Sequence, residues 1–342
     1  MENTPTDANA STTASDKKSQ NHLADYQLNC LPEELPKDLT DLYPGFGKPD
    51  TQPAWLGAQL VDASLVLEGG SMRGQFTAGI LDYLMQAGLM PTTVLSVSAS
   101  AIHAINYAAG MPGRSTYLNI HYAKDWRFFS ARSWLYSRSL FDIRFSFEEI
   151  PKRLVPYDYQ AFRNSPIRVF SASVDLLSGE PDYHQYSDLE KEEGYLIASA
   201  SLPFVSKIVH VDGRLLLDGG MRDSTPIYFS QKLGMKKHIV ILTQPEGYVK
   251  HKNRLVWLAR IIYRKYPNFV DAIATRHLTY NKTYKYVKEL ENQGEAFVFR
   301  PTWEHPVKSM EHDRNKLYAL YREGYEQARL RFAELITYLN ND

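Results

Sequence analysis

Twice in close succession this chain passes from a short apolar run, through a tight turn of small residues, into an apolar repeat of helical period. The run at 64–68 (SLVLE) breaks at Gly69-Gly70-Ser71-Met72-Arg73-Gly74. Apolar residues then recur at helical spacing from Gln75 to Ala87, where Gly88 stops the helix. The second run, 93–97, leads through Ser98 into a helical stretch over 99–109. Strands that alternate with helices in this way need a parallel sheet covered on both faces. Further strands are predicted at 167–174, 208–211, 214–217, 239–242 and 296–300, with Asp212-Gly213 turning a hairpin between two of them. Helices are predicted at 189–199, 225–233, 255–263, 268–291 and 315–340. The chain therefore reads as one α/β domain over 61–245 carrying a helical C-terminal region, 246–342. Residues 26–60 form a proline-rich extended arm laid on the core, and 1–25 a disordered tail.

Composition narrows the partners. Lys plus Arg number 39 and Asp plus Glu 39, which argues against nucleic-acid binding through the charge of the whole protein. The single cysteine, Cys30, excludes an internal disulfide and a cysteine-based zinc site, and fits a reducing compartment. No stretch approaches the ~20 consecutive apolar residues of a membrane-spanning helix, and residues 1–22 lack the apolar core of a secretory signal. A cytoplasmic protein is expected.

The chemistry-bearing residues sit at the two junctions. The loop from Gly69 to Gly74 ends a strand and opens a helix, so its backbone N–H groups can converge on an anion, either a phosphate or an oxyanion; a glycine turn needed only for close helix packing reads the same way. A dinucleotide fingerprint is disfavoured because Ser71 stands at its third position, and no Lys-Ser/Thr follows to make a P-loop. Ser96-Val97-Ser98-Ala99-Ser100 has the layout of a nucleophile elbow, which demands small residues two before and two after the nucleophile. Only Ser98 meets that demand, although a serine there could also simply cap the helix. No histidine falls into place as its base: His103 is about 140° around the helix from Ser98, His238 begins a strand, and most of the others lie in turns or among basic residues. Asp218, at the end of the apolar run 215–217 and followed by Gly219-Gly220, is the better partner, with Asp175 as runner-up.

These segments together resemble the patatin-like phospholipases: a glycine-rich loop (Gly69, Gly70, Ser71, Met72, Arg73, Gly74), a serine elbow at 96–100 and an Asp-Gly-Gly motif at 218–220, in that order. The stretch 198–204 (ASASLPF) is similar to the family's connection before its last motif, and the resemblance runs from about Leu65 to about Thr302, with 264–267 and 276–277 similar to a bacterial branch that has an extra helical C-terminus. The resemblance implies a three-layer α/β/α fold with a mostly parallel central sheet. It implies a Ser-Asp dyad, Ser98 as nucleophile and Asp218 as general base, with the amides around Gly69, Gly70 and Ser71 as oxyanion hole. Lipid or lipid-like carboxylic esters would be hydrolysed through an acyl-enzyme, with no metal and no organic cofactor. The chain departs from the family at Ser71, Ser96 and Ser100, where glycine is usual. The loop keeps its donors if φ at Ser71 is negative, whereas a positive φ would cost about 1–2 kcal/mol. At the elbow the added hydroxymethyl groups are expected to press the helix away from the strand. A catalytically degenerate lipid-binding protein is the alternative.

Two segments bear on lipid contact. Between Tyr117 and Phe147 ten aromatic residues are interleaved with Lys124, Arg127, Arg132, Arg138 and Arg144. They make either a lipid-facing lid or core packing beneath a cationic surface. From Lys250 to Lys288 the chain is basic, with Asp271 its single acid, which suits peripheral contact with anionic headgroups at the inner membrane surface; it carries no nucleic-acid reading motif.

Overall fold

The computed structural model describes residues 31–341 except 49, 50, 129, 138, 140, 141, 304 and 305. The predicted tail, Cys30, Phe129, Arg138 and Phe141 lie outside the described residues. One sheet holds eight strands among them: β1 (Gln59–Leu67), β2 (Leu89–Val97), β3 (Arg168–Asp175), β4 (Pro181–Gln185), β5 (Val209–Val211), β6 (Arg214–Asp218), β7 (His238–Ile241) and β8 (Ala296–Phe299). Their order is β5-β6-β3-β2-β1-β7-β8, with β4 pairing on β3. The five strands β3, β2, β1, β7 and β8 run parallel, whereas β4 and β6 pair antiparallel with β3. Strand β8 comes from the C-terminal region, so that region extends the sheet as well as covering it.

The helices are α1 (Gln75–Gln86), α2 (Ala99–Ala108), α3 (Arg114–His121), α4 (Ala131–Ser137), α5 (Tyr159–Arg163), α6 (Leu189–Ala200), α7 (Ile227–Lys232), α8 (Val256–Ile262), α9 (Pro267–Gln293), α10 (Arg314–Leu330) and α11 (Phe332–Asn340), with a π-type helix over Arg144–Leu154. The period of two in the strands sorts their side chains between two layers. Leu65, Leu67, Val94, Ile239, Ile241, Phe297 and Phe299 enter the core shared with α1, α2 and α10. Val66, Leu95, Val240 and Val298 point the other way, against Ile227 of α7 and Val287 and Leu290 of α9. The result is the three-layer α/β/α arrangement with a mostly parallel sheet. Helix α10 is held very close to α1: a Cβ on Gly324 would lie 2.0 Å from the Phe76 carbonyl oxygen, and one on Gly79 2.1 Å from that of Tyr321.

Several expectations are revised. Strand β1 starts at Gln59, earlier than its apolar run, because β2 offers partners from Leu89 onward across a register shift between Val61 and Ser64. Strand β4 (PDYHQ) has no apolar alternation and forms by pairing with β3. The predicted helix 315–340 is broken at Arg331 into α10 and α11. Of the aromatic segment, Tyr117, Phe145 and Phe147 are buried in the core, while Trp126 and Tyr136 are exposed. Of the segment before β1, Leu42 and Tyr43 are buried and the Pro32 carbonyl accepts from Tyr318 at 2.9 Å.

Candidate active site

The parallel strands β1 and β2 end side by side, and their C-terminal turns build the site. Ser98 follows β2 with φ 60° and ψ −133°, a strained positive-φ conformation that suits a sharp strand-to-helix turn. That turn is tied down on every side. The Ser98 amide donates to Ser199 Oγ (3.0 Å), which itself donates to the Ala172 carbonyl (2.7 Å). Ser100 Oγ accepts from the Val97 amide at 2.8 Å and donates toward the carbonyls of Val97 (2.8 Å) and Leu67 (3.2 Å), while Ser96 Oγ donates to the Phe170 carbonyl at 2.8 Å. Ser96 and Ser100 therefore cross-link β1, β2 and β3 by hydrogen bonds.

Ser98 Oγ donates to Asp218 Oδ2 at 2.5 Å, and both residues are buried. Asp218 reaches this point from an unexpected direction. Strand β6 runs antiparallel to β3, yet its register still brings its end to the carboxyl edge of β2. Asp218 stands opposite Ser173, one residue beyond Ala172, which pairs with Val97. The other carboxylate oxygen of Asp218 accepts from the Gly220 amide at 2.8 Å. Burial raises the pKa of Asp218 above the ordinary carboxylate value, and the Ser98 hydroxyl, the Gly220 amide and the Arg276 guanidinium pull it back. Asp175, the runner-up, closes an ordinary turn by accepting from the Ser178 amide and hydroxyl.

The glycine loop lies against the serine turn. A Cβ on Gly69 would be 2.9 Å from the Val97 carbonyl oxygen and one on Gly70 2.8 Å from Thr243 Oγ1, so both positions exclude a side chain. Two details of the sequence reading change. The Gly69 amide already donates to the Ser224 carbonyl at 3.1 Å, which removes it as a donor to an anion. Ser71 has φ 50°, the strained side of the alternative, at a cost of about 1–2 kcal/mol. The amides of Gly70 and Ser71 have no acceptor among the described residues. Met72 is buried, Gly74 packs on His103, and Arg73 reaches out to Ser309 Oγ at 3.3 Å.

Among the described residues no histidine hydrogen-bonds Ser98 or Asp218. His103 is buried with neither ring nitrogen hydrogen-bonded among the described residues, and burial brings its pKa down to about 4. His238 bonds Ser64 and Ser230 at the start of β7, the end of the strand away from Ser98.

Residues that the sequence reading missed come from α9. Glu68, the residue before the glycine loop, is buried and accepts from Tyr280 (2.5 Å), Tyr284 (2.6 Å), the Thr243 amide (2.6 Å) and the Thr243 hydroxyl (3.0 Å). Arg276 Nε donates to the Gly220 carbonyl at 2.6 Å. Arg276, Tyr280 and Tyr284 recur every four residues on one helix face, and that spacing is the signal that could have found them.

Above Ser98 opens a cavity of about 140 Å³ with a largely apolar wall, including Ile102, Phe128, Phe147, Ile150 and Leu202. Phe147 and Ile150 come from the π-type helix. Arg114, also on the wall, is buried and donates to Asn106 and to the Val155 carbonyl. Among the described residues no group of three His, Cys, Asp or Glu side chains could hold a metal ion, and no helix is long and apolar enough to cross a membrane.

A sheet covered on both faces, with a serine hydroxyl raised on a strained strand-to-helix turn against a buried aspartate, defines a class of α/β proteins built around a serine at a strand-to-helix turn. Within that class, residues 65–229, just under half of the chain, match the family model described as "Patatin-like phospholipase". Residues 266–340 match a second model, "Domain of unknown function (DUF6363)". The "Uncharacterized protein YjjU" of Escherichia coli (strain K12) is 28% identical over 196 residues, 53% of this chain and 52% of that protein, so the match spans about half the length of the relative. The crystal structure of VipD from Legionella pneumophila aligns with 81% of this chain and 68% of that one, at 9% identity and a TM-score of 0.39.

Proposed function

We propose that this protein hydrolyses carboxylic esters of lipids through an acyl-enzyme on Ser98, with Asp218 as general base. The observation that carries the reading is the 2.5 Å hydrogen bond from Ser98 Oγ to the buried Asp218 at the floor of an apolar cavity. Ser98 Oγ attacks the ester carbonyl carbon while Asp218 takes its proton. The oxygen of the tetrahedral intermediate, now negative, sits against the Gly70 and Ser71 amides, helped by the N-terminus of α2. Collapse breaks the bond to the alcohol, which leaves with the proton from Asp218. Water then attacks the acyl-enzyme carbonyl, Asp218 accepts the water proton, and the free acid departs as Ser98 regains its hydrogen. The apolar cavity takes the acyl chain, and the family's lipid-ester chemistry supports that substrate class. Peripheral contact with a membrane surface would bring the enzyme to such substrates.

The strained φ of Ser71 favours a second reading, a binding protein that has lost its chemistry. A fluorophosphonate probe separates the two: the wild type is labelled and Ser98→Ala is not. An unlabelled, well-folded wild type would overturn the hydrolase.

A further inference from the structure

Helix α8 buries Val256 and Ala259, and Tyr263 just beyond its end, in the cluster under the β3–β6 side of the sheet. Its outer side is uncovered. Trp257 and Ile261 are 60% and 61% exposed, and Ile262, with Val249 and Leu255 from the preceding loop, is exposed as well. Trp257 and Ile261 are four residues apart and share one stripe. Around them stand Lys252, Arg254, Arg260, Arg264 and Lys265, all exposed, with no acidic residue between Glu246 and Asp271. None of these five cations is ion-paired among the described residues, whereas Arg163, Lys191, Lys288 and Arg300 on other parts of the surface each meet carboxylates. Apolar groups crowded on a water-facing helix and rimmed by unpaired cations mark a surface that meets an apolar partner bearing negative charge.

We propose that this face, centred on Trp257 and Ile261, docks the protein on an anionic lipid bilayer, with the two side chains entering the headgroup–acyl boundary and the five cations meeting lipid phosphates. The proposal rests on the lipid-ester reading of the Ser98 site for its purpose, though not for its test. The buried side of the same segment leads to that site: Tyr263 Oη accepts from the Phe204 amide at 2.8 Å, and Leu202, two residues earlier, lines the cavity above Ser98.

The test is co-sedimentation with phosphatidylcholine vesicles prepared with and without phosphatidylglycerol. Wild type should bind the anionic vesicles, more weakly as salt is raised. Trp257→Ser with Ile261→Ser should lower partitioning by about tenfold or more. Arg260→Gln and Arg264→Gln should each lower it by roughly fivefold on anionic vesicles alone. In all these variants, fluorophosphonate labelling and hydrolysis of a monomeric short-chain p-nitrophenyl ester should stay at the wild-type level. A wild type that ignores anionic vesicles, or variants that bind them equally well, would overturn the proposal. So would a concentration-dependent dimer that Trp257→Ser abolishes without any vesicle binding, because the face would then belong to a second copy. Failure of labelling in the wild type would sink the hydrolase reading and leave vesicle binding still measurable.

Discussion

At the scale of single residues, Ser98 and Asp218 act as one unit if the hydrolase reading is right. Ser98→Ala and Asp218→Asn should each lower ester turnover by about 10² or more while leaving the circular-dichroism melting curve cooperative. Loss of activity in Ser96→Ala or Ser100→Ala alone would instead mean that the elbow register is misread. The three serines at glycine positions should separate by stability. Ser71→Gly removes a strained φ worth about 1–2 kcal/mol and adds about 0.4–1 kcal/mol of unfolded-chain entropy, so it should be neutral to mildly stabilising. Ser96→Gly and Ser100→Gly lose buried hydrogen bonds as well as gaining that entropy, and should each destabilise by about 1–3 kcal/mol. Denaturant midpoints compare the three directly. Ser98 was legible because it alone has small residues two before and two after it; Ser199, which anchors its amide, was not, because only the packing of α6 on β3 brings it there.

At the scale of elements, helix α9 reaches into the site from the C-terminal region. Arg276 lowers the pKa of Asp218, although burial wins overall and keeps it raised. A base must be unprotonated, so activity should fall as pH drops through that raised value. Arg276→Gln removes the nearby positive charge and should move the acid limb of kcat/KM to higher pH, with the alkaline side little changed. An unmoved acid limb would leave Arg276 with only its bond to the Gly220 carbonyl. Helix α10 tests its crossing with α1 in the same spirit. Gly324→Ala forces a Cβ into the Phe76 carbonyl and should destabilise by about 1–3 kcal/mol or more, whereas Gly213→Ala, with open space around it, bears only the strain of its φ of 75°. The helices themselves were readable from period and stops. Their faces toward the site were not, since the Arg276, Tyr280 and Tyr284 stripe means something only once Glu68 and Gly220 stand opposite it.

At the scale of the whole molecule, Asp82 links three helices, accepting on α1 from the Gly113 amide (2.8 Å) and the Thr116 hydroxyl (3.3 Å) at the start of α3 and from Tyr321 of α10. Burial pushes its pKa up to about 7. The folded state therefore holds a proton that the unfolded chain releases near pH 4, so its contribution to stability is full below that pH, declines as pH rises toward 7 and is flat above. Over about three pH units the loss is at most about 4 kcal/mol. Asp218, Asp223 and Glu193 also have raised values, so the measurement is the difference in unfolding free energy between wild type and Asp82→Asn. That difference should slope from pH 4 to pH 7 and level off beyond; parallel curves would show that Asp82 does not carry the effect. By itself the sequence determined the alternation of the first strands and helices, the two turns and the candidate pair Ser98 and Asp218, because hydrophobic period, glycine stops and small-residue flanks act over a few neighbours; β4 and the short helices between 114 and 163 carry no such local signal. Only the tertiary structure decided that β6 runs antiparallel and brings Asp218 to Ser98, that the Gly69 amide is already bonded, and that α9 closes the back of the site. Those outcomes depend on strand register and on contacts between residues 56 and 120 positions apart, which no local pattern encodes.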